Sequence, residues 1–252
     1  KTSVKSRCQL SQIIRRWTGF RVSPDTPYVK ILAQHIQSFH QNIVIDSQTM
    51  GSSDLRSKIV HSLDMPPVFW GDLWPSLYRL FEEVRRHSTV AISGEAADEV
   101  FAGYRWFHDP KALQADTFPW LIDATQKVFG SRHLLNQKFL EKLNLPGFVR
   151  ESYAQALAEV PRLSGESDQQ HRIREISYLN LTRFVRALLD RKDRMSMAHG
   201  LELRVPFCDH RLVQYAFNIP WEMKAFDGRE KSILRAAAVS YTHLTLPTKR
   251  IV

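Results

Sequence analysis

The sequence predicts an α/β fold with a parallel sheet in the first half and a large helical second half. Three observations lead there. Apolar patterns between Asp25 and Phe101 run helix, strand, helix, helix, strand, helix, the order of a parallel α/β unit. Beyond Asp116 strand signals stop and apolar residues recur at helical spacing. Between the two, a short β-branched run ends in Ser93-Gly94 and leads into an acidic helix start, and parallel sheets hold ligands at such strand ends.

The first helix starts at Asp25-Thr26-Pro27, a cap residue followed by proline in the first turn. Val29, Leu32, Ile36 and Phe39 recur at three- and four-residue steps and give it one apolar face. Ile43-Val44-Ile45 reads as a short buried strand. Ser52-Ser53-Asp54 caps a second helix with Leu55, Ile59 and Leu63 on one side, and Pro66-Pro67 ends it. Asp72 opens a third, with Leu73, Leu77, Leu80, Phe81 and Val84 inward. Thr89 to Ile92 is the next buried strand, Ser93-Gly94 breaks it, and Glu95 to Phe101 reads as a helix start. Strand, glycine turn and helix start together point free backbone N–H groups at an anion. Glu95, Asp98 and Glu99 crowd that turn and would repel a bare phosphate, so a cation is expected to share the site. The plainer reading is that these acids only complement a helix dipole.

In the second half, helices are expected over 118–129, 133–143, 153–160 and 171–190, with a polar loop at 163–169. Ile173, Ile176, Leu179/Asn180 and Phe184 form the stripe of the longest. Arg229 to Ala238 is the last expected helix.

The 252 residues suffice for a sizeable core, and 43% hydrophobic with 24% charged residues is an ordinary globular balance. No run of 18 apolar residues is present, so no membrane partner is expected. Lys1 to Gly19 has no apolar stretch of the signal-peptide kind. Two distant cysteines, with neither a CxxC nor an HExxH motif, argue against disulfides and zinc. The net charge of +9 is spread along the chain without an aromatic-interleaved basic motif, so no nucleic-acid partner is expected.

Ser93-Gly94-Glu95-Ala96-Ala97-Asp98-Glu99-Val100-Phe101-Ala102-Gly103-Tyr104 resembles the Ser-Gly-Glu-Gly/Ser-Ala-Asp-Glu-Ile/Val-Phe-Gly-Gly-Tyr motif of asparagine synthetases. Leu189 to Leu212, beginning Leu-Asp-Arg-Lys-Asp-Arg-Met-Ser, and Gly228-Arg229-Glu230-Lys231-Ser232-Ile233-Leu234-Arg235 resemble two further blocks of that family, in the family's order. The resemblance runs from about Asp25 to about Ala238. It implies a sheet of the adenine-nucleotide α-hydrolase type, with 21–110 as the α/β nucleotide-binding part and 111–239 as the helical part. The stretches 1–20 and 240–252 lie outside it and are expected to be non-native or unassignable. The Ser-Gly-Gly-x-Asp-Ser pyrophosphate loop of the family is not in the sequence.

The activity implied by the resemblance is cytoplasmic, ATP-dependent conversion of aspartate to asparagine. An aspartyl-adenylate is attacked by ammonia derived from glutamine, with ATP and Mg²⁺ required. A glutaminase domain is expected in the parent protein, a homodimer is compatible with the family, and the 252 residues alone are expected to be inactive. Ser93, Gly94 and Arg191 are the implied ATP contacts. Glu95 is the implied base toward ammonia, Lys231 the cation at the pyrophosphate, and Asp98 a ligand for Mg²⁺. Two other classes remain open: a related amidating or cyclising synthetase of the β-lactam-synthetase kind, and a basic binding module without catalysis.

Overall fold

The computed structural model describes residues 9–16, 26–65, 73–122 and 136–242. It is mostly helical with small parallel sheets, in keeping with an α/β protein. The chain forms two compact units, Lys1–Ser93 with Asp190–Arg204, and Gly94–Leu189 with Val205–His243. The division between these units falls at Ser93, inside the motif.

In the first unit, β1 (Gln9–Arg16) and β2 (Phe39–Asp46) pair in parallel, with Gln9 opposite Phe39 and Arg16 opposite Asp46. The Thr26–His35 helix lies on the crossover that parallel neighbours require. β3 (Val90–Ile92) pairs in parallel with β4 (Glu202–Arg204). The core gathers Leu55, Ile59 and Leu63 from the Ser53–Leu63 helix, Trp74, Leu77 and Phe81 from the Leu73–Arg85 helix, and Met195 and Leu201. Ser52 caps the Ser53–Leu63 helix by accepting from the Leu55 N–H at 3.4 Å. At the other end the Arg194 guanidinium donates to the Leu63 carbonyl at 2.9 Å, meeting an orphan helix carbonyl with a cation.

Several elements depart from the sequence reading. β1 falls where no element was expected. The first helix stops at His35 because Gln37 takes a φ of 51°, so Phe39 opens β2 instead of closing the helical stripe. Ile45 is buried but Val44 is 47% exposed, the alternation of a strand with one covered face. Ile92 is likewise 78% exposed rather than buried. The one-turn Ser47–Gly51 helix, capped by Asp46, and the three-residue β4 carry too few residues for any periodicity. Pro66, Pro67 and Asp72 lie outside the described residues.

The second unit is helical. Arg172 ties three of its segments together. Its guanidinium donates to the Leu113 carbonyl at 2.9 Å, the Ala115 carbonyl at 2.7 Å, the Tyr153 hydroxyl at 2.7 Å and Glu175 at 2.7 Å. The Asp168–Leu179 helix begins with a reciprocal cap between Ser167 and Gln170 and runs into a π turn at Asn180–Phe184 before Val185–Met197. The expected helix over 118–129 is only a 3-10 turn at Pro119–Leu121 in the described residues, and 123–135 lie outside them. Gln137–Leu143 and Leu145–Ala158 are the next two helices, the second starting eight residues earlier than its apolar pattern indicated. The last helix runs over Ser232–Thr242, into the stretch read as unassignable. The most consequential departure is at Glu95 to Phe101: the helix there is one turn, Ala97–Val100, preceded by Ala96 at a φ of 71°. A single turn has little dipole, so the case for an anion held by a helix end is weak here.

Candidate functional site

In the first unit, β3 leads to Ser93, whose N–H donates to the Arg204 carbonyl at 2.9 Å and extends the β3–β4 ladder by one bond. The Ser93 hydroxyl accepts from the Lys192 ammonium at 2.9 Å. Arg191, the neighbouring residue on the Val185–Met197 helix, is buried at 6% exposure. Adjacent helix positions point about 100° apart, so one residue turns inward while the next reaches the serine.

The second unit opens with exposed Gly94 and half-buried Glu95. Asp98 and Gly103 close a tight return: the Gly103 N–H donates to the Asp98 carbonyl at 2.8 Å. A Cβ on Gly103 would lie 1.8 Å from Asp98 Oδ1 and 2.8 Å from Asp98 Cα, so only glycine fits. Asp98 Oδ1 accepts from the Lys231 ammonium at 2.6 Å, across 133 residues of sequence. The two most specific motifs of the second unit therefore meet at one ion pair.

Both sides of that pair are held in unusual backbone. Ala96, Ala102 and Lys231 have φ of 71°, 56° and 54°. Each such non-glycine residue carries about 1–3 kcal/mol of strain, and such residues gather at functional sites. The asparagine synthetase motif has Gly or Ser where Ala96 stands and Gly where Ala102 stands, which matches the left-handed backbone at both. Before Lys231, the Asp227 carboxylate accepts from both Arg229 and the buried Ser232 hydroxyl. Arg229 and Ser232 hold Asp227 well below the usual carboxylate range. Val100 and Phe101 share a core with Ile233 and Leu234, so the Asp98 turn and the Lys231 helix are packed against one body of side chains.

Behind Asp98, Glu99 is 2% exposed and accepts from the Tyr104 hydroxyl at 2.6 Å. Burial pushes the Glu99 carboxyl up, the Tyr104 bond opposes this, and the charges of Asp98 and Glu95 push it further. Burial and Glu99 raise the Tyr104 phenol far above its ordinary value. Burial, then Glu99 and Glu95, raise the Cys208 thiol, which suits a packed thiol and not a nucleophile.

The Asp98 oxygen nearest the motif's return holds the Lys231 ammonium, and no group of three or more His, Cys, Asp or Glu suited to a metal occurs among the described residues. Asp98, the Mg²⁺ ligand expected from the sequence, holds the Lys231 ammonium through Oδ1.

Of the sequence-derived candidates, Asp98 and Lys231 are brought together, with Glu95 three residues upstream in the same unit. Ser93 and Arg191 belong to the other unit, where Lys192 bonds Ser93. Lys192 was missed because it stands in an alternating Asp-Arg-Lys-Asp-Arg run, where every cation has a nearby acid to explain it. The Glu99–Tyr104 pair was missed as well, although both residues lie within the motif.

A family model described as asparagine synthase matches residues 3–247, including parts of both ends that the motif resemblance left out. The chain is 40% identical over 220 residues to asparagine synthetase [glutamine-hydrolyzing] 3 of Bacillus subtilis, covering 87% of this chain and 34% of that protein. It is 30% identical over 188 residues to asparagine synthetase [glutamine-hydrolyzing] 1 of the same organism, covering 64% of this chain and 30% of the relative. The human asparagine synthetase [glutamine-hydrolyzing] is 25% identical over 220 residues, covering 86% of this chain and 29% of the relative. The chain thus spans about a third of the length of these relatives. With a family model matched over nearly its whole length, the chain belongs to the asparagine synthase family.

Proposed function

We propose that this chain is the synthetase part of an ATP-dependent ligase that converts aspartate to asparagine with ammonia drawn from glutamine. The Lys231–Asp98 ion pair carries the reading, since it joins two separated family motifs at one point. Activation joins the aspartate side-chain carboxylate to the α-phosphorus of ATP and releases pyrophosphate. Lys231 presents a compact positive charge to the leaving pyrophosphate, and Asp98 keeps that ammonium in place. Glu95 takes a proton from the amine as ammonia attacks the acyl carbon and AMP leaves. Ser93 and Gly94 lie against the nucleotide, and Arg191 meets its phosphates. Mg²⁺, when bound with ATP, neutralises charge on the phosphate oxygens.

This reading includes a sheet of the adenine-nucleotide α-hydrolase type, a cytoplasmic location, a glutaminase domain in the parent protein and no nucleic-acid partner. A homodimer is compatible with it. Among the described residues no helix is long and apolar enough to cross a membrane. The test is aspartate- and ammonia-dependent formation of AMP by the product of the complete gene. Glu95→Gln is expected to block asparagine release while leaving adenylate formation, read as aspartate-dependent pyrophosphate exchange into ATP. AMP formation with a different carboxylic acid, and none with aspartate, would replace the reading with that of a related amidating synthetase.

A further inference from the structure

Lys224 is buried at 5% exposure, yet no carboxylate and no hydrogen-bond acceptor meets its ammonium among the described residues. Its ammonium nitrogen is not among the side-chain atoms sealed from solvent, so a buried stem carries the charge to the cavity. Lys224 lines a cavity of about 280 Å³ in the second unit, together with Arg174, Glu166, Ile173, Phe217 and Trp221. Glu166 could have been its partner, but both of its oxygens are taken. Arg174 donates to one at 2.7 Å, and His171 at 3.1 Å and the Leu163 N–H at 3.2 Å reach the other. Of the other polar walls, Ser177 donates to the Ile173 carbonyl and the Asn218 amide to the Gln214 carbonyl. The three charged groups facing the space are Lys224, Arg174 and Glu166, which leaves one positive charge uncompensated. Ile173, Phe217 and Trp221 give it apolar walls.

We infer that this cavity binds a small organic monocarboxylate, its carboxylate on Lys224 and its apolar body against Phe217, Ile173 and Trp221. A cation without a protein partner at the wall of a cavity with one excess positive charge and aromatic walls fits an anion with a hydrophobic part better than a bare polyanion. Burial and the neighbouring Arg174 charge lower the Lys224 ammonium to about 8, so it is mostly charged at neutral pH and available to such a ligand. The inference is independent of the roles given to Glu95 and Lys231.

The experiment is thermal unfolding of the 252-residue chain at pH 7 with sodium benzoate or sodium phosphate, each against sodium chloride at equal ionic strength. Benzoate is expected to raise the wild-type Tm saturably, by about 3–6 °C at ten times its Kd. Lys224→Met removes an uncompensated charge, so it is expected to fold with a higher baseline Tm and to show no benzoate response. Lys224→Arg, which keeps the charge, is expected to retain part of the response. An equal benzoate shift in wild type and Lys224→Met, or no shift in wild type, overturns the proposal. A shift with phosphate but not benzoate overturns the assignment to an organic carboxylate.

Discussion

Replacing Gly103 with alanine puts a methyl carbon 1.8 Å from Asp98 Oδ1 and 2.8 Å from the Asp98 Cα. Real Cβ atoms stay beyond 3.0 Å of other heavy atoms, so the carboxylate oxygen must retreat by more than 1 Å (3.0 less 1.8), and the backbone must yield as well. The Lys231–Asp98 bond is 2.6 Å long, and a retreat of that size along it takes the pair past hydrogen-bond reach. Overpacking of this kind destabilises by about 1–3 kcal/mol. At about 2–4 °C per kcal/mol for a chain of this size, the Tm of Gly103→Ala should fall by about 2–12 °C. Gly94→Ala is the matched control: nothing lies within 4 Å of its added Cβ, and its φ is not in the left-handed region, so stability should change by less than about 0.5 kcal/mol. Thermal unfolding of both variants against wild type reads the difference. A Gly103→Ala protein that melts within 1 °C of wild type by about the same criterion as the control would refute the argument that Asp98 is pinned by its glycine.

Three further outcomes follow from the same structure. Tyr104→Phe leaves the buried Glu99 oxygen without its donor and should cost about 1–3 kcal/mol in urea unfolding at pH 7. Because burial already holds the Glu99 pKa above its unfolded value, the native state favours the protonated acid; Glu99 therefore stabilises less as pH rises, and the Tyr104→Phe deficit should narrow toward pH 4. Arg172→Ala removes donors to three backbone carbonyls, Tyr153 and Glu175 at once, and should cost at least about 2 kcal/mol by denaturant unfolding. For Lys224, the folded pKa of about 8 lies below the unfolded 10.5, so the unfolded state binds more protons between them and stability rises with pH across that window. Relative to Lys224→Met, wild type should gain about 3 kcal/mol from pH 7 to pH 11, measured as the difference between the two urea midpoints.

The helices that the sequence made legible are those with a cap and a long stripe. Ser52 with Leu55, Ile59 and Leu63 was readable because one hydroxyl and one i, i+4 series specify both the start and the buried face. The three-residue β4 was not, since its place is set by pairing with β3 more than a hundred residues away. The one-turn helix after Glu95 looked longer because alanine, glutamate and aspartate all suit a helix start. The left-handed turns at Ala96 and Ala102 overrode that preference. At the candidate site, the motifs singled out Asp98 and Lys231 separately, but local chemistry could not foresee that they pair. Asp98 and Lys231 meet only because Val100, Phe101, Ile233 and Leu234 pack into one core. Lys192 finds Ser93 through a helix whose pattern gave it no special standing.

In the proposed reaction Lys231, anchored by Asp98, acts on the leaving pyrophosphate. Aspartate-dependent pyrophosphate exchange into ATP by the complete gene product tests it most directly, comparing wild type with Lys231→Ala and Lys231→Arg. Exchange is expected in wild type, with a loss of about a hundredfold or more in Lys231→Ala, as for removal of one charge-stabilising donor, and partial recovery in Lys231→Arg. Wild-type exchange rates in a folded Lys231→Ala protein would contradict it.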